Sequence, residues 1–361
     1  MGLSFTAWTP SYGYIGALDF ETADLFRKQN DVGFGNLTGV RGVDPVLLTR
    51  DSLLVASYSE GGVDLDRSLW LVRKRTRVIR GRTTTTGLIV VDPNHLLRRR
   101  IIAYASESAQ ALKTGVASAV MVDFVRQQFT TATDTTRNAP LLVPDAIAGG
   151  SSQSVAAAHD TLIDVCNKIA ATELLRGTWL GFGVAPTNLD GLGIDGLALT
   201  FSVYADQAGV DRRNQLSLSA AAGSLQELVI EDDWSDEATR VYVGGAGQKA
   251  ARLVAQQTRA DVAELGPFGL IEDWIDATNI STTAHLTTRS EAELQERVAR
   301  TRYKAPIAFG ADLRWGRDLS FGDRMYVDVD NLLVEGRITE YGISADSDRG
   351  TVVDATVEGY I

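Results

Sequence analysis

The chain has 361 residues, of which 44% are apolar and 22% are charged. This length exceeds the usual size of one domain, so we expect two or three domains with substantial hydrophobic cores. The net charge of −11 argues against a general nucleic-acid-binding protein.

The first 95 residues have the pattern of an all-β region. Short runs bounded by turn residues predict strands at residues 22–26, 52–58, 68–78 and 83–91. The last two read as a hairpin that turns at Gly81. Short strands at this spacing favour a sandwich or a barrel.

A mixed α/β region follows. Apolar residues at helical spacing predict a helix within residues 106–129 and a second helix with Ser154 as its N-cap and Cys166 on its apolar stripe. Two further strands are predicted at residues 179–184 and 196–204, joined by a glycine-rich stretch. This part of the chain therefore inserts helices into a largely β protein.

The pattern then returns to strands, interrupted by one more helix. Strands are predicted at residues 225–230 and 239–243, and Ser290 with Glu293 predicts the capping box of a third helix. From residue 305 onward the sequence is again β, with apolar and polar residues alternating from Met325 in the period of a half-buried strand.

The chain offers little catalytic chemistry. Its three histidines, His95, His159 and His285, are far apart, and no serine lies in a G-x-S-x-G elbow. A Ser-His-Asp triad needs no fixed spacing and stays open at this level. The glycine-rich run before Lys249 lacks the Ser or Thr that a phosphate-binding loop requires after the lysine, which favours a strand-ending turn. We expect no enzyme activity, no catalytic residues and no cofactor.

Two acidic or glycine-rich segments have a metal-binding alternative. Residues 191–197 resemble one fragment of a calcium-binding nonapeptide repeat, but a single copy favours a hairpin turn. The acidic residues between 231 and 237 suit either a hard cation, a solvated loop or one side of a charged interface. We assign no metal-binding residue to either segment.

The single cysteine and the hydropathy pattern indicate the compartment. Cys166 has no partner for a disulfide within the chain, and its place in the second helix predicts a small core residue. The first residues lack a secretory signal pattern, and no apolar run approaches the roughly 20 residues that span a bilayer. We expect synthesis in a reducing cytoplasm, without a membrane partner.

A basic stretch is unusual in so acidic a protein. We take it as the candidate interface with another subunit or a partner; its residues are Arg73, Lys74, Arg75, Arg77, Arg80, Arg82, Arg98, Arg99 and Arg100. Strand alternation would place Arg73, Arg75 and Arg77 on one face and Lys74 on the other. The alternatives are a solvated edge strand whose charges prevent aggregation, and a lining for passing nucleic acid.

Several motifs in order along the chain resemble the hub proteins of long-tailed phage tails, the baseplate-hub or minor tail protein family. They are NDVGFG at residues 30–35, HLLRRRII at 95–102, VYVGGAG at 241–247, FGDRM at 321–325 and RITE at 337–340. Each motif alone is weak, and the order of all five carries the resemblance.

The resemblance implies a mainly β fold with α/β insertions, made of two tube-type β-barrels plus lateral domains. The first barrel would be residues 1–95, the lateral domain 96–225 continued by 250–302, and the second barrel 226–249 with 303–361. Such hubs form homotrimers whose six barrels make a pseudo-sixfold ring. The ring would sit at the virion tail tip.

The implied partners follow from that position. They are the distal tail protein hexamer, the C-terminus of the tape measure protein, and downstream tip or fibre proteins, with DNA only as cargo passing through the lumen. Digestion of the host wall would belong to another protein. A similar hub would serve contractile tails and tail-derived secretion machines, which the sequence does not separate. The alternative function is a carbohydrate-binding module that contacts the host surface, which would need exposed aromatic side chains.

Overall fold

The computed structural model describes residues 2–81, 83–104, 108, 110–145, 149–187, 198–278, 280–310 and 312–360, and they form two compact units. The larger unit contains Met1–Glu173, Thr178–Leu228 and Lys304–Glu358. The smaller unit contains Leu174–Gly177, Val229–Tyr303 and Gly359–Ile361.

Strands outnumber helices throughout the chain. The larger unit begins with β1 Gly2–Trp8, β2 Tyr14–Leu18, β3 Thr22–Lys28, β4 Phe34–Thr38, β5 Leu53–Glu60, β6 Val63–Arg80, β7 Thr83–Val91, α1 His95–Arg98, β8 Ala111–Val116, α2 Ala117–Phe129, β9 Leu141–Leu142, β10 Ser152–Ala157, α3 Leu162–Leu175, β11 Leu180–Thr187, β12 Ala198–Ala205 and β13 Ser217–Ser219. Then follow β14 Val229–Asp233, β15 Arg240–Gly244, β16 Val254–Thr258, β17 Glu272–Asp276, α4 Thr283–Glu296 and β18 Arg300–Pro306. The last strands are β19 Arg324–Val329, β20 Leu332–Asp346 and β21 Gly350–Tyr360.

One extended sheet joins the two ends of the sequence in the larger unit. Its strand order is β21-β20-β3-β4-β7-β6-β5-β1-β2, and β19 pairs with β20 and with the short β13. The strands predicted within the first 95 residues and the hairpin at Gly81 are confirmed. The alternation from Met325 is confirmed as well, because Met325, Val327 and Val329 are buried while Tyr326 and Asp328 are less so. Among the described residues these pairings close no barrel.

Two predicted helices of the larger unit begin too early. Residues 111–116 form β8, so the first predicted helix is confirmed only from Ala117. Ser154 lies in β10, where its hydroxyl is 2.9 Å from that of Thr114 on β8, and it caps no helix. The second predicted helix begins instead at Leu162, with the Thr161 hydroxyl accepting from the Asp164 amide at 3.3 Å. Thr114 and Val116 are β-branched and favour a strand. The helical prediction used the spacing of apolar residues alone and did not take this preference into account.

The helices α2 and α3 share one core with β11 and β12. Phe124 of α2, Cys166 of α3 and Phe201 of β12 are all fully buried in it. Burial in this apolar cluster raises the pKa of Cys166 to about 12, so the thiol behaves as a small core residue, as predicted. The strand pair β11-β12 is confirmed, and the predicted turn at residues 190–196 lies outside the described residues.

The smaller unit is built around β15. This strand pairs antiparallel with β16 and parallel with β17, and α4 packs against β15 and β16. Val241, Val243 and Leu286 are fully buried between helix and sheet. The predicted strand at 239–243 is confirmed, but it pairs within this unit and not with the C-terminal strands.

Two other predictions for the smaller unit are wrong in detail. The strand predicted at 225–230 is β14 at Val229–Asp233, which pairs with β18. The cap of α4 is Thr282, whose hydroxyl accepts from the His285 amide at 3.4 Å. Ser290 and Glu293 lie in the helix interior and are buried, because α4 starts about two turns before the predicted box.

Candidate assembly interface

The hairpin of β6 and β7 extends beyond the strands on either side of it. β5 pairs with β6 only up to Leu71, and β4 pairs with β7 only from Leu88 onward. Past these points β6 and β7 pair only with each other, up to Arg80 opposite Thr83. Near the tip both faces are exposed, since Val78 is 43% and Ile79 68% exposed. Large apolar side chains left in water on a protruding hairpin point to a contact surface.

A β-bulge resets the side-chain alternation at the base of this hairpin. The register shifts between Val72 and Lys74, so Arg73 has no residue directly opposite it on β7. A bulge inserts one extra residue into the strand, so the regular pairing with β7 resumes only at Lys74. Arg75, Arg77 and Ile79 share one face.

Two of the candidate arginines clamp the hairpin base to α1. Arg73 Nη1 lies 2.6 Å from Asp51 Oδ1, and Arg99 Nη2 lies 2.5 Å from Asp51 Oδ2. Each carboxylate oxygen thus has its own guanidinium partner. The clamp orders residues that are remote in sequence, and it leaves neither arginine free for a partner protein.

Three more of the candidates are engaged within the chain. Arg75 Nη1 donates to the carbonyl oxygens of Pro45 and of Leu48, the latter at 3.0 Å. Arg98 Nη2 lies 2.7 Å from Asp31 Oδ1. The Arg100 guanidinium stacks 4.9 Å from the centre of the Phe129 ring.

The nine candidate residues therefore do not form one surface. Lys74, Arg77 and Arg80 are the members whose side chains make no ion pair, hydrogen bond or ring contact with a described residue, and all three are exposed on the hairpin. Arg82 lies outside the described residues. The free cations of the candidate interface are thus concentrated where the apolar tip is exposed.

The Asp51 clamp predicts a pH dependence through His95. Burial and the nearby charges of Arg73 and Arg99 lower the pKa of His95 to about 4. An unfolded histidine titrates near pH 6.5, so between about pH 6.5 and 4 the unfolded chain binds a proton that the folded chain does not. The folded state should lose stability as the pH falls through this window.

The measurement compares urea unfolding of the wild type and His95→Gln at pH 7 and near pH 4.5. The wild type should lose more stability on acidification than the variant, whose position 95 cannot titrate. Equal losses in both proteins would contradict the assignment of this proton to His95.

Acidic residues meet exposed apolar residues on β14 of the smaller unit. All five residues of the strand are exposed, including Val229 at 51% and Ile230 at 37%. Glu231 and Asp233 also line a cavity of 230 Å³ in this unit. Sequence reasoning found the acidic cluster but missed the apolar half of the strand, for which the adjacent Val-Ile pair was the available signal.

The other chemical candidates are not brought together. Within the described residues, no three histidine, cysteine or carboxylate side chains are placed to hold a metal ion. The ring of His159 packs 5.2 Å from that of Tyr104, and His285 supplies a backbone amide to the start of α4. Of the helices in the described ranges, none is long and apolar enough to cross a membrane.

The FGDRM motif forms a tight turn at the start of β19. We call this turn, with the groups that bind the Asp323 carboxylate, the bracket. Gly322 has φ +83°, and a Cβ there would lie 2.8 Å from the Ala208 Cβ, so the turn requires glycine. Asp323 is fully buried, and its carboxylate accepts from the amides of Val210 at 2.7 Å and Ser320 at 2.9 Å. Glycine at the turn and the buried Asp323 carboxylate therefore fix how the chain enters β19.

Comparison with known proteins identifies the family. Residues 75–357 match the family model described as Siphovirus ReqiPepy6 Gp37-like protein. The chain belongs to this family. No curated protein matches the sequence of this Gp37-like chain.

Solved structures share the fold of the Gp37-like chain over nearly its whole length. The 43 kDa tail protein of prophage MuSo2 from Shewanella oneidensis has a TM-score of 0.54 at 13% identity, covering 98% of each chain. The prophage tail protein gp18 from Listeria monocytogenes EGD-e has a TM-score of 0.51 at 10% identity, covering 99% of this chain and 94% of that one. The tail protein from Neisseria meningitidis MC58 has a TM-score of 0.50 at 11% identity, covering 99% and 97%. The predicted resemblance to phage tail proteins is confirmed at the level of family and fold.

Proposed function

We propose that the chain is a structural, non-catalytic subunit of a phage tail that closes into a homotrimeric ring at the tail tip. The observation that carries the proposal is the likeness of fold to phage tail proteins over 98% of this chain and 98% of the MuSo2 tail protein. The protruding hairpin with its exposed apolar tip adds to it, because such a surface needs a partner. The chain would be made in the host cytoplasm and act in the virion.

In this proposal the ring contains two tube-type β-barrels from each copy, so that three copies give a pseudo-sixfold ring. The barrels would be completed around residues 1–95 and around 303–361, with lateral parts between them. The ring would join the tail tube, through the distal tail protein hexamer, to threefold tip components and fibres. The tape measure C-terminus would meet the ring, and DNA would pass only as cargo.

The contact that closes such a ring joins unlike surfaces of neighbouring copies. A two-fold contact uses the same patch on both copies and stops at a dimer, whereas a head-to-tail contact closes a ring. Each copy must therefore carry two complementary surfaces. The free cations Lys74, Arg77 and Arg80 would belong to one of them.

The carbohydrate-binding alternative finds little support in the tryptophans. Trp8, Trp70 and Trp315 are buried in the larger unit. Trp234 and Trp274 are exposed, and the Arg252 guanidinium lies 5.2 Å from the Trp274 ring centre. Neither Trp234 nor Trp274 lines the cavities that include Arg27, Phe34, Glu231 or Asn30.

The test is the mass of the purified chain in solution, alone and mixed with the distal tail protein of the same phage. Light scattering behind a sizing column should give a discrete species near three times 38.9 kDa. A ring that closes only on the tail would appear in the mixture alone. A monomer under both conditions, with no complex, would overturn the proposal.

A further inference from the structure

We propose that the outer edge of β6 in the hairpin of one copy pairs with the free edge of β14 in a second copy. The inference rests on the proposed self-assembly and names the two surfaces that perform it. The donor is residues 76–80 of β6, and the acceptor is β14.

The β6 edge is an unpaired strand edge. Beyond the bulge, β6 pairs with β7 on one side, and no described strand pairs with its other side. Its side chains at Arg77, Val78 and Ile79 are exposed. An open edge of this length is a template for another strand, and proteins normally cover or pair it.

β14 also has an unpaired edge and exposed apolar side chains, and its charged side chains are acidic where those of the β6 edge are basic. Among the described strands β14 pairs only with β18, so one side of it is open. Thr301 of β18 donates to the Asp232 carboxylate on the paired side. Glu231 has no ion pair or hydrogen bond from its side chain to any described residue. The strand thus offers backbone groups, two exposed apolar side chains and an unpaired carboxylate.

One antiparallel register matches both charge and hydrophobicity. If Glu231 stands opposite Arg77, then Ile230 stands opposite Val78 and Val229 opposite Ile79. Residues directly opposite each other in an antiparallel pair point to the same face, so all three pairs make side-chain contact. A shift by one residue would place one apolar residue opposite a charge, either Ile230 opposite Arg77 or Val78 opposite Glu231.

A second copy is the partner that these features favour. The acceptor with matching charge and apolar residues is present in the same sequence, and one donor and one acceptor per copy make the head-to-tail contact that a ring needs. Nucleic acid would use the cations but would leave Val78 and Ile79 in water. Strand addition uses backbone hydrogen bonds for affinity and the side chains for register.

The first test is a charge exchange followed by light scattering. Arg77→Glu should reduce assembly at least tenfold in midpoint concentration, and so should Glu231→Arg, because each change places like charges opposite each other. Combining both changes in one chain should restore much of the assembly, because every contact of the ring then joins opposite charges again. Arg349→Glu is the matched control, because Arg349 is exposed at the tip of the β20–β21 hairpin. Assembly of both reversed variants at the wild-type midpoint would overturn the pairing.

The second test traps the register and works even where assembly is weak. In the double variant Ile79→Cys with Val229→Cys, oxidation should link chains into dimers and trimers on a non-reducing gel. Ile79→Cys with Val352→Cys is the control, because Val352 is equally exposed on another strand. Buried Cys166 does not compete for the bond.

The two tests separate this inference from the proposed function. If the wild type forms a ring but the Ile79–Val229 pair does not crosslink, the pairing is wrong and the ring stands. If the wild type forms no ring, alone or with the distal tail protein, and no crosslink appears, both fall.

Discussion

Replacing Asp323 by alanine is expected to lower the free energy of unfolding by about 3–5 kcal/mol, since it breaks a buried ion pair from one side. The Asp323 side chain is fully buried, and its Oδ2 lies 2.5 Å from Arg212 Nε. The same carboxylate accepts the amides of Val210 and Ser320. Removing it leaves a guanidinium and two backbone donors inside the protein without their acceptor.

The experiment is urea unfolding of Asp323→Ala beside two variants. Asp323→Asn keeps an oxygen acceptor and loses the charge, so it should fall between the wild type and the alanine variant. Asp354→Ala removes an exposed carboxylate of β21 and should change stability by less than about 0.5 kcal/mol. A loss for Asp323→Ala no larger than that of Asp354→Ala would contradict the role of the bracket.

In this bracket the turn could be predicted from the sequence, but the groups that bind Asp323 could not. The turn at Gly322 and Asp323 was visible because a glycine before a strand marks a turn. The partners Val210 and Arg212 lie more than a hundred residues earlier in the chain, and no local pattern connects them to Asp323. Strand periodicity likewise predicted β6, β7 and β19, whose alternation is set by neighbouring residues.

The predicted helix start was wrong where a strand continues directly into a helix with no turn residue between them. Apolar residues continue at helical spacing from β8 into α2, and only the cross-strand partners on β10 decide where the helix begins. The partners of β15 are a second feature that the sequence pattern does not give. β15 has a strand pattern, but the pattern does not say that its partners are β16 and β17.

For the candidate interface, the sequence could predict the basic composition but not which of the basic side chains are free. The basic residues are contiguous in sequence, but whether each is free depends on distant groups such as Asp51, Asp31 and Phe129. The sequence pattern also gave no sign of the bulge at Arg73, which shifts the pairing register of β6 against β7. The free cations therefore emerged only from the tertiary contacts.

Truncating Trp315 to alanine is expected to lower the free energy of unfolding by about 3–5 kcal/mol, as for other large buried aromatic residues. Trp315 is 2% exposed, and its ring centre lies 4.7 Å from that of Tyr341 and 6.1 Å from that of Phe309. Its Nε1 donates to Asp66 Oδ2 at 3.1 Å. Burial raises the pKa of Asp66, so losing the indole donor leaves a carboxylate that is already costly to ionise with one partner fewer.

Two variants divide this loss into its parts. Trp315→Phe keeps most of the ring packing and removes the hydrogen bond, so it should cost less than the alanine variant. Trp234→Ala is the matched control, because Trp234 is 63% exposed and its loss should change the free energy of unfolding by less than about 0.5 kcal/mol. Trp315→Phe and Trp315→Ala should also differ in pH dependence only slightly, since both remove the donor to Asp66. If Trp315→Ala and Trp234→Ala were equally stable in urea, the stack on Tyr341 would not contribute to the core of the larger unit. A large difference would place this tryptophan among the residues that hold the C-terminal strands against the N-terminal ones.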